Sequence, residues 1–258
     1  MKEKTALTRS SAKWSAVGIG AASAAYAIYV AITWSRYGRA ARPGRQDHDP
    51  LLDRFMPVYE IAERHHIRVA APPAVTLAAA RDLDLFHRPL VRAIFKAREL
   101  LLGAAPDDRP RPRGMLAEAQ SLGWVVLDEI SDREIVAGAA TKPWEANVTF
   151  RPIPGTEFAA FQEPNYVKIV WTLRADAIAA NASIFRTETR AVATDPVARA
   201  KFRRYWAFLS PGVILIRWAL LGPLKAEAER RQREAHSDSG QPRRPGFGAA
   251  FDLECDDT

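Results

Sequence analysis

The chain's first strong pattern is an apolar run from Trp14 to Trp34 that contains no charged residue. As a helix this run is about 31 Å long, enough to cross a hydrocarbon core of about 30 Å. A tryptophan stands at each end, where aromatic rings favour the membrane interface. The run is longer than the apolar core of a cleaved signal peptide, which has about 7–15 residues. We therefore predict an uncleaved transmembrane helix over residues 14–34.

Basic residues flank this predicted span on both sides and bear on its orientation. They lie in a basic N-terminal segment, residues 1–13, and in a basic linker, residues 35–50. The positive-inside rule compares the two flanks, and they carry equal numbers of basic residues. The second cluster is denser, so we expect a single-pass protein of the cell membrane with its main domain on the cytoplasmic side. The residues compared are Lys2, Lys4, Arg9 and Lys13 before the span, and Arg36, Arg39, Arg42 and Arg45 after it.

Downstream of the linker, the pattern changes from a strand to helices. Residues 58–70 place apolar side chains on one parity, which predicts a β-strand. Residues 74–83 follow a Pro-Pro pair and predict a short helix. Residues 89–102 carry an apolar stripe at helical spacing and predict a second helix, and residues 115–122 predict a third helical segment.

The next part of the chain reads as short β-strands. Residues 124–130, 134–140 and 147–153 are strand candidates separated by Asp, Pro and Gly. Residues 166–174 and 183–192 alternate cleanly between apolar and polar side chains. This succession of short strands predicts an antiparallel sheet.

The last predicted strand carries charges on one parity and hydroxyls on the other. Arg186, Glu188 and Arg190 alternate with Thr187 and Thr189. Charges side by side on one parity predict a solvated sheet face, with a surface network contributing about a few tenths of a kcal/mol. A charged binding site formed by the same three residues is the alternative.

A long C-terminal helix follows the strands. Asp195-Pro196 is an N-cap followed by proline at the first helical position, and Ser210-Pro211 repeats this signal, which predicts a kink and a second helical piece. Residues 213–221 are apolar except for Arg217 and are too short to span a membrane. We interpret them as a helix buried against the sheet; the alternative is an interfacial segment with Arg217 reaching the headgroups.

Charge and cysteine content narrow the possible partners. The net charge is +7 with a pI near 9.7, which suits either nucleic acid or an anionic membrane surface. Much of the excess charge lies beside the apolar run and in the tail, and no nucleic-acid-binding motif is present, so we expect no nucleic-acid partner. Cys255 is the only cysteine, which excludes an intrachain disulfide and a cysteine-based metal site. We expect no metal and no cofactor.

The order of predicted elements resembles the helix-grip fold of the START-like superfamily, also called SRPBCC. VAAPPAVTLAA, residues 69–79, is similar to the end of its first strand and the start of its first helix. FRTETRAVATDPVARAKFRRYW, residues 185–206, is similar to its last strand and long helix. The resemblance covers residues 51–228 and is to a bacterial member of the group. It implies an α+β fold with a curved antiparallel sheet wrapped on a long C-terminal helix. The predicted transmembrane helix precedes this domain and departs from most soluble members of the group. Residues 229–258 are predicted to be a disordered tail, because the chain from His236 onwards is Ser, Gly, Pro and charge with little to bury.

The resemblance implies a cavity between sheet and long helix that binds a hydrophobic small molecule or lipid. Some members are cyclases or hydrolases, so an enzyme in the same cavity is one alternative. A further hypothesis is a non-catalytic protein that binds a partner through the basic juxtamembrane and tail segments. An enzyme would need a positioned acid or base, for which His65 and Glu134 are the candidates; the sequence carries no catalytic motif, and we assign no catalytic residue. The oligomeric state is open. The ligand-binding candidates, each also compatible with a plain core role, are Phe150, Ile169, Trp171, Phe185, Thr187, Thr189 and Trp206.

Overall fold

A computed structural model describes residues 3–40, 44, 47–84, 88–105 and 112–240; the side chains of residues 3–17, 19 and 238–240 lie outside that description. The side chains of the predicted basic segment over 1–13, the side chain of Trp14 and tail residues 241–258 therefore fall outside the described part. The helices are α1 (Glu3–Arg36), α2 (Pro50–Phe55), α3 (Pro73–Asp82), α4 (Pro89–Leu102), α5 (Met115–Ser121), α6 (Gly155–Phe158) and α7 (Pro196–Gly240). The strands are β1 (Ile61–Val69), β2 (Val125–Ile130), β3 (Glu134–Thr141), β4 (Phe150–Arg151), β5 (Val167–Ala179) and β6 (Ala182–Ala193).

The strands form one antiparallel sheet in the order β1-β6-β5-β3-β2, with β4 beside β3. Helices α3, α5 and α7 pack on one face and contribute, with that face, the largest apolar cluster. An antiparallel sheet gripping one long C-terminal helix is the helix-grip arrangement, so the predicted α+β fold is confirmed. The face towards α7 is called the inner face below, and the opposite face the outer face.

Helix α7 begins as the sequence predicts. The Asp195 carboxylate accepts hydrogen bonds from the backbone N–H groups of Val197 at 2.7 Å and Ala198 at 3.0 Å, which satisfies two donors of the first turn. The predicted second helical piece at Pro211 is wrong, because α7 continues through both Pro211 and Pro223. Tertiary packing explains this difference: Phe202 is buried before the first proline and Leu224 after the second, so both ends of the helix are held against the domain.

The C-terminal part of α7 also extends further than expected. Residues 229–240, the first part of the predicted disordered tail, are helical. Arg230 pairs with Glu227 and Glu234, and Arg231 pairs with Glu227 and with Asp82 of α3. Ion pairs at helical spacing, together with this tertiary pair, support a helix that has little apolar surface to bury.

The outer face of the sheet is covered, so the prediction of a solvated charged face is wrong. Helix α2, whose N-cap Asp49 accepts from the Leu52 N–H at 2.8 Å, lies over this face with α6. As a result Arg190 is 0% exposed and Glu188 is 6% exposed. Alternation shows that two faces of a strand differ, but it does not show which elements cover each face.

Helix α1 is joined to the domain by specific contacts. Tyr37, within the predicted linker, is buried and donates to the Glu60 carboxylate at 2.5 Å. Within α1, the Tyr26 hydroxyl donates to the Phe208 carbonyl at 2.6 Å, and the Trp34 ring centre lies 4.3 Å from the Arg203 guanidinium. The segment predicted as a linker thus contributes to the core, and α1 packs against α7.

One helix among the described residues is long and apolar enough to cross a membrane, and it is α7 over Pro196–Ser237. Only 22% of the apolar 18-residue stretch within it is buried. Large apolar side chains remain exposed on α7, including Phe208, Leu215 and Trp218. The transmembrane segment predicted over residues 14–34 extends beyond the side chains that the structure describes, and it stays a prediction.

Candidate functional site: a cavity between sheet and C-terminal helix

A cavity of about 1230 Å³ lies between the inner face of the sheet and the middle of α7. The packing of α7 explains why space remains there. Phe202 belongs to an apolar cluster near the start of α7, whereas Leu220 and Leu224 belong to the large cluster nearer its end. The intervening part of the helix therefore bridges two packed regions. The volume exceeds the ~300–1,000 Å³ of a usual small-molecule pocket, so a lipid-sized ligand fits by size.

Two cross-strand pairs form the floor of the cavity. Trp171 lies directly opposite Thr189, and Ile169 lies directly opposite Ala191, on strands β5 and β6. Because opposed residues of an antiparallel pair share a face, all four side chains project towards α7. The roof and sides come from α7 and α4, through Leu209, Val213, Ile216, Ile94, Phe95 and Leu101.

One wall depends on a glycine turn. Gly123 has φ +105°, and a Cβ atom there would lie 2.2 Å from the Phe150 carbonyl oxygen. This close approach lets the Phe150 ring lie 5.0 Å, centre to centre, from the Trp124 ring. Both rings line the cavity. The predicted strand over 147–153 shortens to Phe150–Arg151, and the stretch contributes Asn147, Val148 and Phe150 to the cavity wall.

The structure places the seven predicted ligand-binding residues in two groups. Phe185 is buried in the large apolar cluster beside the cavity, and Thr187 lies behind the wall, where its hydroxyl accepts from Arg217 Nη1 at 3.3 Å. The residues that line the cavity are Phe150, Ile169, Trp171, Thr189 and Trp206.

Other wall residues had no counterpart among the predicted site residues. Helix α4 supplies Ile94, Phe95 and Leu101, and α1 supplies Tyr26 at the rim. The apolar stripe of α4 is readable from the sequence, and Leu101 remains 73% exposed while it lines the cavity. Periodicity shows that α4 has an apolar side, but the element it faces is set by the tertiary fold.

Few polar groups interrupt these apolar walls. Arg217 lines the cavity from α7. Burial lowers the pKa of its guanidinium to about 10, and the charge of Glu63 acts in the other direction and raises it. It is therefore still protonated at neutral pH. The Thr189 hydroxyl oxygen is buried and has no hydrogen-bond partner among the described residues. Arg98 also lines the cavity, but its guanidinium donates to the backbone carbonyls of Pro143 and Glu145.

Neither candidate acid or base lies on the cavity wall. The His65 ring is edge-on to Trp218 at 6.3 Å, and burial, then Arg217 and His66, lower its pKa. Glu134 is 2% exposed at the start of β3, beside Asp49 of the outer face. Burial, then the Asp49 carboxyl, raises the pKa of Glu134 to about 8. Across the described ranges, no three His, Cys, Asp or Glu side chains are arranged to hold a metal ion.

No protein-family model and no curated protein matches this chain. Solved structures with a similar fold include the Zhui aromatase/cyclase from Streptomyces sp. R1128, at 16% identity over 67% of this chain and 96% of that one, with a TM-score of 0.27. A START superfamily protein from Mycobacterium smegmatis is 11% identical over 67% and 98% of the two chains, with a TM-score of 0.25. The di-domain aromatase/cyclase BexL is 14% identical over 69% and 47%, with a TM-score of 0.22. Likeness at this level concerns the fold alone, and the description of the fold as helix-grip rests on the strand order and the long C-terminal helix of this chain.

Proposed function

We propose that this chain is a membrane-tethered START-like protein that binds a hydrophobic small molecule or lipid in the cavity between the sheet and α7. The observation that carries the proposal is the cavity itself, with its large volume and mainly apolar walls. A concave apolar site with a few convergent polar groups is typical of small-molecule binding. The wall residues Phe150, Ile169, Trp171, Thr189 and Trp206 are the proposed ligand contacts.

The proposed tether is α1, with its apolar run over residues 14–34. Tyr26 of this helix lines the cavity rim and bonds to the Phe208 carbonyl of α7. Such a tether would keep the cavity close to the bilayer and raise the effective concentration of a membrane-borne ligand. The exposed apolar side chains Phe208, Leu215 and Trp218 of α7 fit a position beside lipid.

A binding role is favoured over a cyclase or hydrolase in the same cavity. Acid–base catalysis needs a titratable group within hydrogen-bond reach of the bound molecule. His65 and Glu134, the two candidates for that role, are absent from the wall that the described residues form. A partner-binding role through the basic juxtamembrane and tail segments is the other alternative, and the tail residues 241–258 that it uses lie outside the described part.

Filling the cavity floor tests this function. We expect Thr189→Phe to weaken binding of the neutral apolar dye N-phenyl-1-naphthylamine by about tenfold or more. The added ring occupies space opposite Trp171, and a steric penalty of about 1–3 kcal/mol corresponds to a change of about fivefold to about 150-fold. Binding to the full chain in lipid nanodiscs is followed by energy transfer from tryptophan, with empty discs subtracted.

Ile178→Phe is the matched control for this variant. Ile178 lies on the same sheet but is 42% exposed and outside the cavity wall, so its substitution should leave dye binding unchanged. Melting temperatures of both variants within a few degrees of the parent would show that the fold is intact. Unchanged dye affinity in a folded Thr189→Phe protein would show that the dye does not bind in the cavity.

The proposed side of the membrane is cytoplasmic, on the basis of the denser basic cluster after the span. In intact spheroplasts the main domain should then resist protease added outside, and it should be digested once the membrane is opened. Digestion in intact spheroplasts would place the domain on the opposite side.

A further inference from the structure

The cavity wall includes a cation, on Arg217, that forms no ion pair with any described residue. Arg217 projects from the middle of α7 and makes one hydrogen bond, from Nη1 to the Thr187 hydroxyl at 3.3 Å. Its other N–H groups have no partner among the described residues, and no described carboxylate lies within ion-pair distance of it. Glu63 acts on Arg217 electrostatically, but it is not part of the cavity wall.

A second polar group without a partner among the described residues, the Thr189 hydroxyl, lies on the same strand as the threonine that Arg217 contacts. Thr189 follows Thr187 by two residues on β6, so both hydroxyls are on the inner face and about 7 Å apart along the strand. The Thr189 oxygen is buried and makes no hydrogen bond within the described structure. Arg217 bonds to the first threonine, and both Arg217 and Thr189 line the cavity. The cation and the free hydroxyl thus form one polar end in an otherwise apolar space.

The charge at this end selects the kind of ligand. The Arg217 side chain is half-buried, an anion that pairs with it would offset the hydration that it has lost, and an arginine binds a carboxylate or phosphate through two parallel hydrogen bonds. The other charged wall residues are already occupied: Arg98 bonds to two backbone carbonyls, and Glu99 pairs with Lys96. Glu63 lies opposite Thr189 on β1; burial raises its pKa, Arg217 and Arg64 lower it, and it forms no ion pair with Arg217 within the described structure.

We infer that the cavity binds an amphiphile with an anionic head, a carboxylate or a phosphate monoester, held by Arg217 and the Thr189 hydroxyl. Its apolar tail lies along Ile169 and Trp171 towards α4. This inference rests on the proposed function and names the ligand class of the same cavity.

A matched acid and ester pair tests the inference. The full chain in phosphatidylcholine nanodiscs is titrated at pH 8 with 9,10-dibromostearic acid and with its methyl ester, and bromine quenching of tryptophan is measured. We expect the acid to bind at least about tenfold more tightly than the ester, because a hydrogen bond to a charged group contributes about 1.5–3 kcal/mol. Arg217→Met should abolish this preference and leave ester binding intact.

Two controls separate charge recognition from a change in folding. Methionine fills a volume similar to that of the arginine stem, and replacing a half-buried, unpaired charge by an apolar group need not destabilise, so the melting temperature of Arg217→Met should be preserved. Arg204→Met removes an exposed cation from the same helix and should leave the preference for the acid unchanged. A tenfold preference that survives Arg217→Met would overturn the assignment of Arg217.

Competition between head groups distinguishes the two anionic classes. Hexadecyl phosphate displacing dibromostearic acid more strongly than palmitic acid does would assign a phosphate head, and the reverse order would assign a carboxylate; hexadecanol should compete weakly in either case. Equal binding of the acid and the ester to the unmodified chain would overturn the anionic head while leaving the proposed function standing. Absence of saturable quenching by both, beyond the quenching that ligand dissolved in the bilayer gives, would contradict the proposed function itself.

Discussion

Replacing Arg190 by methionine is expected to lower the free energy of unfolding by about 3–5 kcal/mol. The Arg190 side chain is fully buried under α2 and donates to Glu188 at 2.7 Å, to Asp53 at 2.5 Å and to the Met56 carbonyl at 2.8 Å. Its guanidinium also lies 4.5 Å from the centre of the Tyr59 ring. Removing the cation leaves the buried Glu188 carboxylate with Arg64 as its remaining partner and deprives a backbone carbonyl of its donor.

Arg54→Met is the control for this substitution. Arg54 belongs to the same helix α2, but its side chain is 65% exposed and its pair with Asp128 lies at the surface, so its loss should cost about 0–1 kcal/mol. Urea unfolding of the full chain in micelles, followed by circular dichroism, measures both variants. A cost below about 1 kcal/mol for Arg190→Met would contradict the buried network on the outer face.

Replacing Glu134 by glutamine is expected to stabilise the protein at alkaline pH by about 2–4 kcal/mol. Burial and the Asp49 carboxyl raise the pKa of Glu134 from an ordinary 4.5 to about 8 in the folded chain. Between these two values the folded state keeps a proton that the unfolded state has lost. Stability therefore falls as pH rises from about 4.5 to about 8, by at most about 1.4 kcal/mol per pH unit. Glutamine cannot ionise and removes this loss.

Melting temperatures at pH 5 and pH 8.5 measure the effect. The Glu134→Gln variant should match the parent near pH 5 and melt at a higher temperature at pH 8.5. Glu129→Gln, at an exposed position on the neighbouring strand β2, should not change the pH profile. A parent chain whose stability is flat between pH 5 and pH 8.5 would show that Glu134 does not keep its proton in the folded state.

Local signals in the sequence predict the elements of this fold well. Helix α4 is predicted over residues 89–102 and found there, because its apolar stripe is followed by Gly103, which adopts a left-handed φ of 68° at the helix end. Asp195 is found as the N-cap of α7 for a similarly local reason: its carboxylate reaches the first N–H groups of the helix. These features depend on neighbours within a few residues.

Features set by distant residues were predicted less well. The alternation of Arg186, Glu188 and Arg190 resembles a solvated face, yet α2 covers it, and α2 lies more than a hundred residues away in the sequence. The length of α7 likewise depends on its packing at both ends, which outweighs the local stop signal at Pro211.

The local sequence pattern likewise predicts some of the cavity residues, and distant contacts determine the others. Alternation on β5 and β6 places Trp171 and Thr189 on the inner face, where they line the cavity. Arg217 was visible as a charge within an apolar stretch, but its contact with Thr187 requires α7 to lie across the sheet. The contribution of Tyr26 depends on how α1 meets α7, which the sequence pattern does not specify.

The most direct test of ligand binding is to identify what co-purifies with the protein. The full chain, which retains the buried Tyr37, is extracted from membranes with a nanodisc-forming polymer, without detergent, and its bound molecules are analysed by mass spectrometry after solvent extraction. The proposed function predicts one apolar molecule in a stoichiometric amount, depleted in Thr189→Phe and retained in Ile178→Phe. Equal amounts of the same bulk lipids in all three proteins, with no enriched species, would contradict a ligand held in the cavity.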